Sequence, residues 1–419
     1  MKSTSLMKIK SLHYGLLASL FILAACGTNL PSTTPVATPT ASAVKPIQTD
    51  VSPTSNAMAC MLVRGQATPE ALGANFESRG HTSGPADAAV TIVEFSNYQC
   101  PACAFLDSSL RRIRQTHSTD VRLIYINTPS TSKNNDLLAM QAGEAADLQG
   151  KYWEMHDLLF DKRAEWSPLS SADFETWSAR QAASLGLDET RFLEDYRGKV
   201  VAERLQQAVQ SAGNQSIVPP ILFVNSASPY TGQVDFPSLD TVVRMEALEA
   251  HQFSACPAWV IDPHKQYIAT LRIDKGDATI QLFADKAPQA VNNFVFLARS
   301  GWYDGNTFYR VIPDVLAQTG DPSGTGIGNP GYFFATEITA GLHFNQPGMV
   351  AMDNNGLNTN GSRFFITLGP APDMEGQYTI IGQVLSGLDG LKKLSPRDAK
   401  PGEDLPAGDK LIQVTIEEH

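Results

Sequence analysis

The stretch Val93-Glu94-Phe95-Ser96-Asn97-Tyr98-Gln99-Cys100-Pro101-Ala102-Cys103-Ala104-Phe105 sets two of the chain's five cysteines three positions apart. That spacing serves either a dithiol that cycles to a disulfide or half of a zinc site. Just upstream, Ala89 to Ser96 ("AVTIVEFS") is a β-branched, nearly continuous apolar run that suits a buried strand. Just downstream, Pro101 stands where a helix opens, and Phe105, Leu106, Leu110 and Ile113 follow at helical spacing. The pair therefore lies at a strand-to-helix junction, with Cys100 at the helix N-terminus. There the unpaired backbone N–H groups and the helix dipole stabilise a thiolate and make it the nucleophile. Cys103, one turn on, is placed to attack a mixed disulfide and release product.

Outward from this junction the sequence reads as a second strand, "VRLIYIN" (121–127), then helical periodicity through "NDLLAMQAGEAADLQGKYWEMHDLLFDKR", "ADFETWSARQAASLG" and the amphipathic stretch from Asp188 to Ala212. A further strand, Ile221 to Asn225, is entered through Pro219 and Pro220. Together "VEFSNYQCPAC", "GKYWEMHDLLF" and "PPILFVN" resemble the DsbA-like thiol-disulfide oxidoreductases, over residues 73–253. The resemblance implies an α/β thioredoxin-like fold with a helical insertion. It makes Cys100 the attacking cysteine, Cys103 the resolving one, Pro220 the cis-proline facing the dithiol, and Glu94 the buried acid that relays protons to and from the resolving thiol. Pro219 departs from the threonine or valine usual before that proline. Zinc fits poorly, because a structural site wants four ligands; no second Cys-x-x-Cys or His pair follows, His117 is isolated and Cys60 lies outside the motif.

Beyond Cys256 the pattern changes. "YIATLRIDKGDATIQLFAD" gives two runs around Lys275-Gly276, a hairpin signal. A helix follows in "APQAVNNFVFLARSG", then many short strands with Gly and Pro turns, an arrangement suited to an all-β closed antiparallel barrel with capping helices. The segments "APQAVNNFVFLARSGWYDGNTFYRVIPDVLAQTGD", "GMVAMDNNGLNTNGSRFFITL" and "YTIIGQV" resemble the cyclophilin-type peptidyl-prolyl isomerases, and this domain is taken as residues 257–419. The resemblance implies that Arg310 is the catalytic arginine. Gln318 and Asn354 match substrate-binding positions, and Leu316, Phe365 and Met374 match walls of the proline pocket. Several positions depart from the family. Asp314-Val315 replaces Gly-Phe, so a large aromatic wall becomes a small aliphatic one. Asp353, Arg363 and Asp373 bring charge to a groove that is otherwise neutral, with Arg363 able to pair with either aspartate. Tyr378 stands where some members carry histidine.

The N-terminus carries Lys2, Lys8 and Lys10 before an apolar run from Tyr14 to Ala25, too short for the roughly 20 residues of a spanning helix and suited to a secretory signal. It ends in Leu23-Ala24-Ala25-Cys26, which resembles a bacterial lipobox; the resemblance makes residues 1–26 a lipoprotein signal segment, from which the signal is removed so that Cys26 becomes the new N-terminus and carries the lipid. Residues 27–72 read as a disordered linker, rich at first in Pro, Thr, Ser and Ala. With Cys26 assigned to lipid, four cysteines remain in a compartment where disulfides persist. A structural bridge between Cys60 and Cys256 follows as a hypothesis, two buried free thiols being the alternative. The formal net charge of −11 and dispersed basic residues argue against a nucleic-acid partner.

These features converge on a lipid-anchored extracytoplasmic folding factor that joins thiol-disulfide exchange to prolyl isomerisation. Its expected partners are unfolded or folding secreted proteins, the membrane through the lipid, and a redox partner protein; no metal or other cofactor is required. The alternative keeps the oxidoreductase and treats the barrel as a non-catalytic peptide-binding module.

Overall fold

The computed structural model describes residues 58–63, 76, 79–129, 134–213, 218–225, 229–231, 234–398 and 403–419. The expected signal segment, Cys26 and the first part of the linker lie outside the described residues.

Val90–Ser96 is buried along nearly its whole length and forms the centre of a five-stranded sheet. Across that sheet the order is His81–Ser83, Val121–Asn127, Val90–Ser96, Ile221–Val224 and Tyr230–Thr231. Val90–Ser96 runs parallel to Val121–Asn127 and antiparallel to Ile221–Val224, with Glu94 opposite Tyr125 on one side and Leu222 on the other. A parallel pair needs a crossover, and the helix Pro101–Thr116 supplies it, seating Leu106, Leu110 and Ile113 against Val90, Ile92 and Val121. Helices between Asn134–Asp147 and Lys199–Gly213 form a separate layer whose core holds the fully buried Trp166, Phe174 and Phe192. The helix Phe236–Glu249 then returns, with Leu239 and Val243 in the same cluster as Leu106 and Leu110.

The second half is a ten-stranded antiparallel sheet. Its order is Arg397–Asp398, Arg310–Ile312, Leu316–Thr319, Phe364–Thr367, Met349–Met352, Ile380–Ser386, Ala278–Leu282, Tyr267–Ile273, Lys410–Glu418 and Asn306–Thr307. The first hairpin turns at Gly276, whose φ of 109° disfavours any side chain. The closure of the barrel expected from sequence is not shown: among the described residues the hydrogen-bonded ladder ends at Arg397–Asp398 on one side and at Asn306–Thr307 on the other. Asn306–Thr307 and Arg310–Ile312 are joined by only Phe308 and Tyr309, so covalent chain spans the gap where a ladder would close it. Thr319 Oγ1 donates to the Thr307 carbonyl at 2.9 Å across the same gap.

The linker expected over 27–72 does not describe Met58–Val63. Met61–Leu62 pairs antiparallel with Tyr332–Phe333, the Val63 N–H donates to the Gly331 carbonyl at 2.9 Å, and Met58 is buried in the core of the ten-stranded half. Cys60 is bonded to Cys256. The thioredoxin-like half is therefore an insertion: the chain touches the barrel first, leaves it, and returns through Phe253, whose N–H donates to the Pro330 carbonyl at 2.9 Å. A strand of two residues supplies few hydrogen bonds, so the bond that closes a loop of 196 residues is the stronger constraint on the unfolded chain. Replacing Cys60 and Cys256 together by serine should destabilise the barrel by about 2–5 kcal/mol, read as an earlier urea midpoint under non-reducing conditions. An unchanged midpoint would contradict this account.

Candidate functional site

At the strand-to-helix junction Cys100 is the N-cap of Pro101–Thr116, and its Sγ accepts from the Cys103 N–H at 3.1 Å. Cys100 and Cys103 are joined as a disulfide, with Cys100 half-buried and Cys103 fully buried, so a partner reaches Cys100 first. The Pro219–Pro220 peptide bond is cis, and the Pro219 carbonyl oxygen lies 3.8 Å from Cys100 Sγ. Two proline residues leave the loop before Ile221 without a backbone donor at either position, while the Pro219 carbonyl remains beside the dithiol.

Glu94 is only 1% exposed, and its Oε1 has no hydrogen-bond partner among the described residues. Burial, reinforced by the nearby Asp107 charge, pushes its carboxyl from an ordinary 4.5 up to about 8. Asp107 lies on the dithiol helix four residues past Cys103. Burial alone would raise its carboxyl, but His156 at 3.1 Å and Arg111 at 2.7 Å outweigh that and hold it below the usual range. His156 Nδ1 lies 3.0 Å from the Tyr98 hydroxyl, extending the chain beneath the helix to Tyr152. Asp107, His156 and Asp157 are close enough together to hold a metal ion. Arg111 and Arg114 already pair with both carboxylates, which makes the cluster a guanidinium-neutralised network. Sequence reading missed Asp107 and His156, because a buried acid on a helix carries no motif; the helical offset of four from Cys103 was the available signal.

In the barrel, alternation along the strands builds the second site. Arg310 faces Gln318, Gln318 faces Phe365 and Phe365 faces Ala351 across four adjacent strands. Their neighbours Val311, Ala317, Phe364, Ile366, Val350 and Met352 point inward to the main core. Opposite faces alternate along a strand, so the Arg310 row lies on the outer face. There Phe365 and Leu316 pack with Phe344, and Met374 and Tyr378 pack partly buried against them. Tyr378 meets Phe365 edge to face at 5.1 Å between centroids. The arginine thus borders an apolar surface.

Arg310 Nη1 donates to Gln318 Oε1 at 3.5 Å, and its Nε donates to Asp398 Oδ1 at 2.7 Å. The Arg310 and Asp398 side chains are 42% and 58% exposed, so this ion pair contributes at most about 1 kcal/mol and does not withdraw the guanidinium from a substrate. Val315 follows a tight turn in which Asp314 has a φ of 58° and the Val315 N–H donates to the Ile312 carbonyl. It is 37% exposed and is not among the residues packed in the Phe365 cluster. Asn354 Nδ2 donates to the Gln377 carbonyl at 3.0 Å, next to Tyr378, and its Oδ1 accepts from the Gly356 N–H. Of the two aspartates open to Arg363, the structure places Asp353 beside it, at 3.5 Å; Arg363 also donates to Asn355 Oδ1 at 2.8 Å. Burial raises the Asp353 carboxyl, and Arg363 offsets only part of that. Asp398 was also missed, since a short edge strand 88 positions after Arg310 carries no local signature.

Two family models match: "Thioredoxin" over residues 77–227, and "Cyclophilin type peptidyl-prolyl cis-trans isomerase/CLD" over residues 268–417. Among curated proteins, the chain is 45% identical over 127 residues to peptidyl-prolyl cis-trans isomerase ppi1 of Schizosaccharomyces pombe, covering 30% of this chain and 82% of that one. It is 41% identical over 150 residues to peptidyl-prolyl cis-trans isomerase CYP18-1 of Arabidopsis thaliana, covering 35% and 94%. It is 31% identical over 239 residues to peptidyl-prolyl cis-trans isomerase-like 2 of Cryptococcus neoformans, covering 55% of this chain but only 41% of that relative's length.

The charge state of Glu94 gives a pH test. Folded chain keeps a proton on Glu94 between pH 4.5 and about 8 that unfolded chain releases. Stability from this group is complete below about pH 4.5 and is lost as pH rises through about 8. Glu94→Gln should remove that loss, gaining about 1 kcal/mol or more on wild type between pH 5 and pH 8. Urea unfolding followed by protection of the Val90–Ser96 amides measures it, and parallel profiles would refute it.

Proposed function

Because the chain belongs to the cyclophilin-type peptidyl-prolyl cis-trans isomerase family, we propose that its outer-face site isomerises X-Pro bonds in proteins that are still folding. The observation that supports this most strongly is the shared row of Arg310, Gln318 and Phe365 beside an apolar surface. Amide resonance sets a barrier of about 18–20 kcal/mol. Twisting the bond frees the nitrogen lone pair, and a guanidinium donor aimed there stabilises the twisted state more than either planar one. Phe365, Leu316, Met374 and Tyr378 would hold the proline ring, and Gln318 and Asn354 the flanking backbone.

The thioredoxin-like half carries a second proposed chemistry, thiol-disulfide exchange. A client thiolate attacks Cys100 Sγ; the Cys100–Cys103 bond breaks, a client–Cys100 disulfide forms, and the electron pair leaves on Cys103. In this reading Glu94, buried and held protonated up to about pH 8, passes a proton to that buried sulfur, the role the family resemblance implies for it. Attack by a second client thiolate on its own bridged sulfur releases oxidised client and leaves both electrons on the dithiol, which a redox partner protein must remove. Disulfide exchange and proline isomerisation are both slow steps of folding, and one body holding both catalysts raises the local concentration of each for a bound client. Export and anchoring through Cys26 complete the proposal, supported by the sequence of residues 1–26. Among the described residues no helix is long and apolar enough to cross a membrane.

Exposed Val315 favours one competing reading, in which the barrel binds peptide without turning it over. A protease-free isomerisation assay on the full chain separates the two. Arg310→Ala should lower kcat/KM at least about tenfold, or 1.4 kcal/mol in barrier. Peptide binding with no rate above background in wild type would leave only the binding module. For the dithiol, Cys103→Ser expressed in cells should accumulate reducible adducts on Cys100 in the membrane fraction, moving to the soluble fraction when Cys26→Ala is added. An absence of adducts would rule out exchange, and adducts that stay with the membrane would rule out the lipid anchor.

A further inference from the structure

We propose that Asp398 is a positioning residue for Arg310, an inference that rests on the isomerase reading above. Arg397–Asp398 is an edge strand whose register sets Asp398 directly opposite Arg310 and Arg397 opposite Val311. The strand is held in place from its own side, because Arg397 Nη1 donates to the Pro406 carbonyl. Asp398 Oδ1 accepts from Arg310 Nε at 2.7 Å, while Arg310 Nη1 leans on Gln318 Oε1 at 3.5 Å. Nη2 has no hydrogen-bond partner among the described residues.

A guanidinium is a rigid planar fork, so contacts at two of its nitrogens fix the plane of the third. Arginine otherwise samples many rotamers, and at 42% exposure the packing around Arg310 does not select one. The short bond is to Nε, at the root of the fork, and the second contact is the longer one from Nη1 to Gln318, which leaves Nη2 for the prolyl amide. Catalysis by an oriented charge depends on that charge being in place before the bond twists. Asp398 supplies the orientation without touching substrate. The opposing physical effect is that its negative charge weakens the field of Arg310, and the two effects predict opposite outcomes.

The test uses the full chain and a proline-containing peptide, with kcat and KM measured separately for wild type, Asp398→Asn, Asp398→Ala and Arg310→Ala. Positioning predicts that Asp398→Ala lowers kcat about threefold to tenfold with KM within about twofold. Asp398→Asn should keep at least about half of wild-type kcat, since its side-chain oxygen still accepts from Nε. Adding Asp398→Ala to Arg310→Ala should lower the residual rate no further. A rise in kcat in either Asp398 variant would make the carboxylate a brake and overturn the proposal. An Arg310-dependent rate that neither Asp398 variant alters would overturn it while leaving the isomerase intact. A wild-type chain with no Arg310-dependent rate would overturn both, and equal far-ultraviolet circular dichroism across the variants separates all of these from misfolding.

Discussion

The side-to-side alternation of three neighbouring strands, Arg310–Ile312, Leu316–Thr319 and Phe364–Thr367, is the constraint on which the barrel's function depends. Val311, Ala317, Phe364 and Ile366 fill the core on one side. Once they are buried, the residues between them have one place to go, and Arg310, Gln318 and Phe365 emerge together on the other side. A slip of one residue in the Arg310–Ile312 strand would turn the arginine into the core and Val311 out of it. The free energy that fixes the site is therefore mostly hydrophobic and lies behind it, whereas the polar contacts at Arg310 are exposed and individually weak, and set the direction of the guanidinium more than the stability of the fold.

The thioredoxin-like half uses the same logic with a different element. A buried central strand delivers the chain into the helix that begins at Pro101, and the sulfur at the cap inherits the unsatisfied donors of that helix end. Behind it lie Glu94, held neutral well above the ordinary carboxylate range, and Asp107, held charged below it. The two buried acids take opposite states because Asp107 is hydrogen-bonded to His156 and Arg111, whereas Glu94 Oε1 has no hydrogen-bond partner among the described residues. The two halves are not strung in series. Met58–Val63 and the Cys60–Cys256 bond root both ends of the thioredoxin-like insertion in the barrel, so each half constrains the other's place on the chain.

Much of this was legible in the sequence where a pattern is repeated over several residues. The strand read as Ala89–Ser96 forms over Val90–Ser96, the one read as 121–127 forms over those residues, and the turn at Lys275-Gly276 joins the expected pair. Arg310, Gln318, Leu316, Phe365, Met374 and Tyr378 were recognisable through motif resemblance and lie together. Three features escaped it. Met61–Leu62 is too short to show a period, and its partner is some 270 positions away. Asp398 acts through register on an edge strand, and Asp107 and His156 through one helix face meeting another, so their roles exist only once the chain is folded.

The central claim is that the outer face around Arg310 is where an X-Pro bond is turned. Two-dimensional exchange spectroscopy of a proline peptide with the isotope-labelled full chain tests it directly, because one sample reports both turnover and location. The account predicts cis–trans exchange cross-peaks, with shift changes concentrated at Arg310, Gln318, Phe365, Met374 and Tyr378. Exchange cross-peaks accompanied by shift changes centred elsewhere, or shifts at this face without exchange, would contradict it.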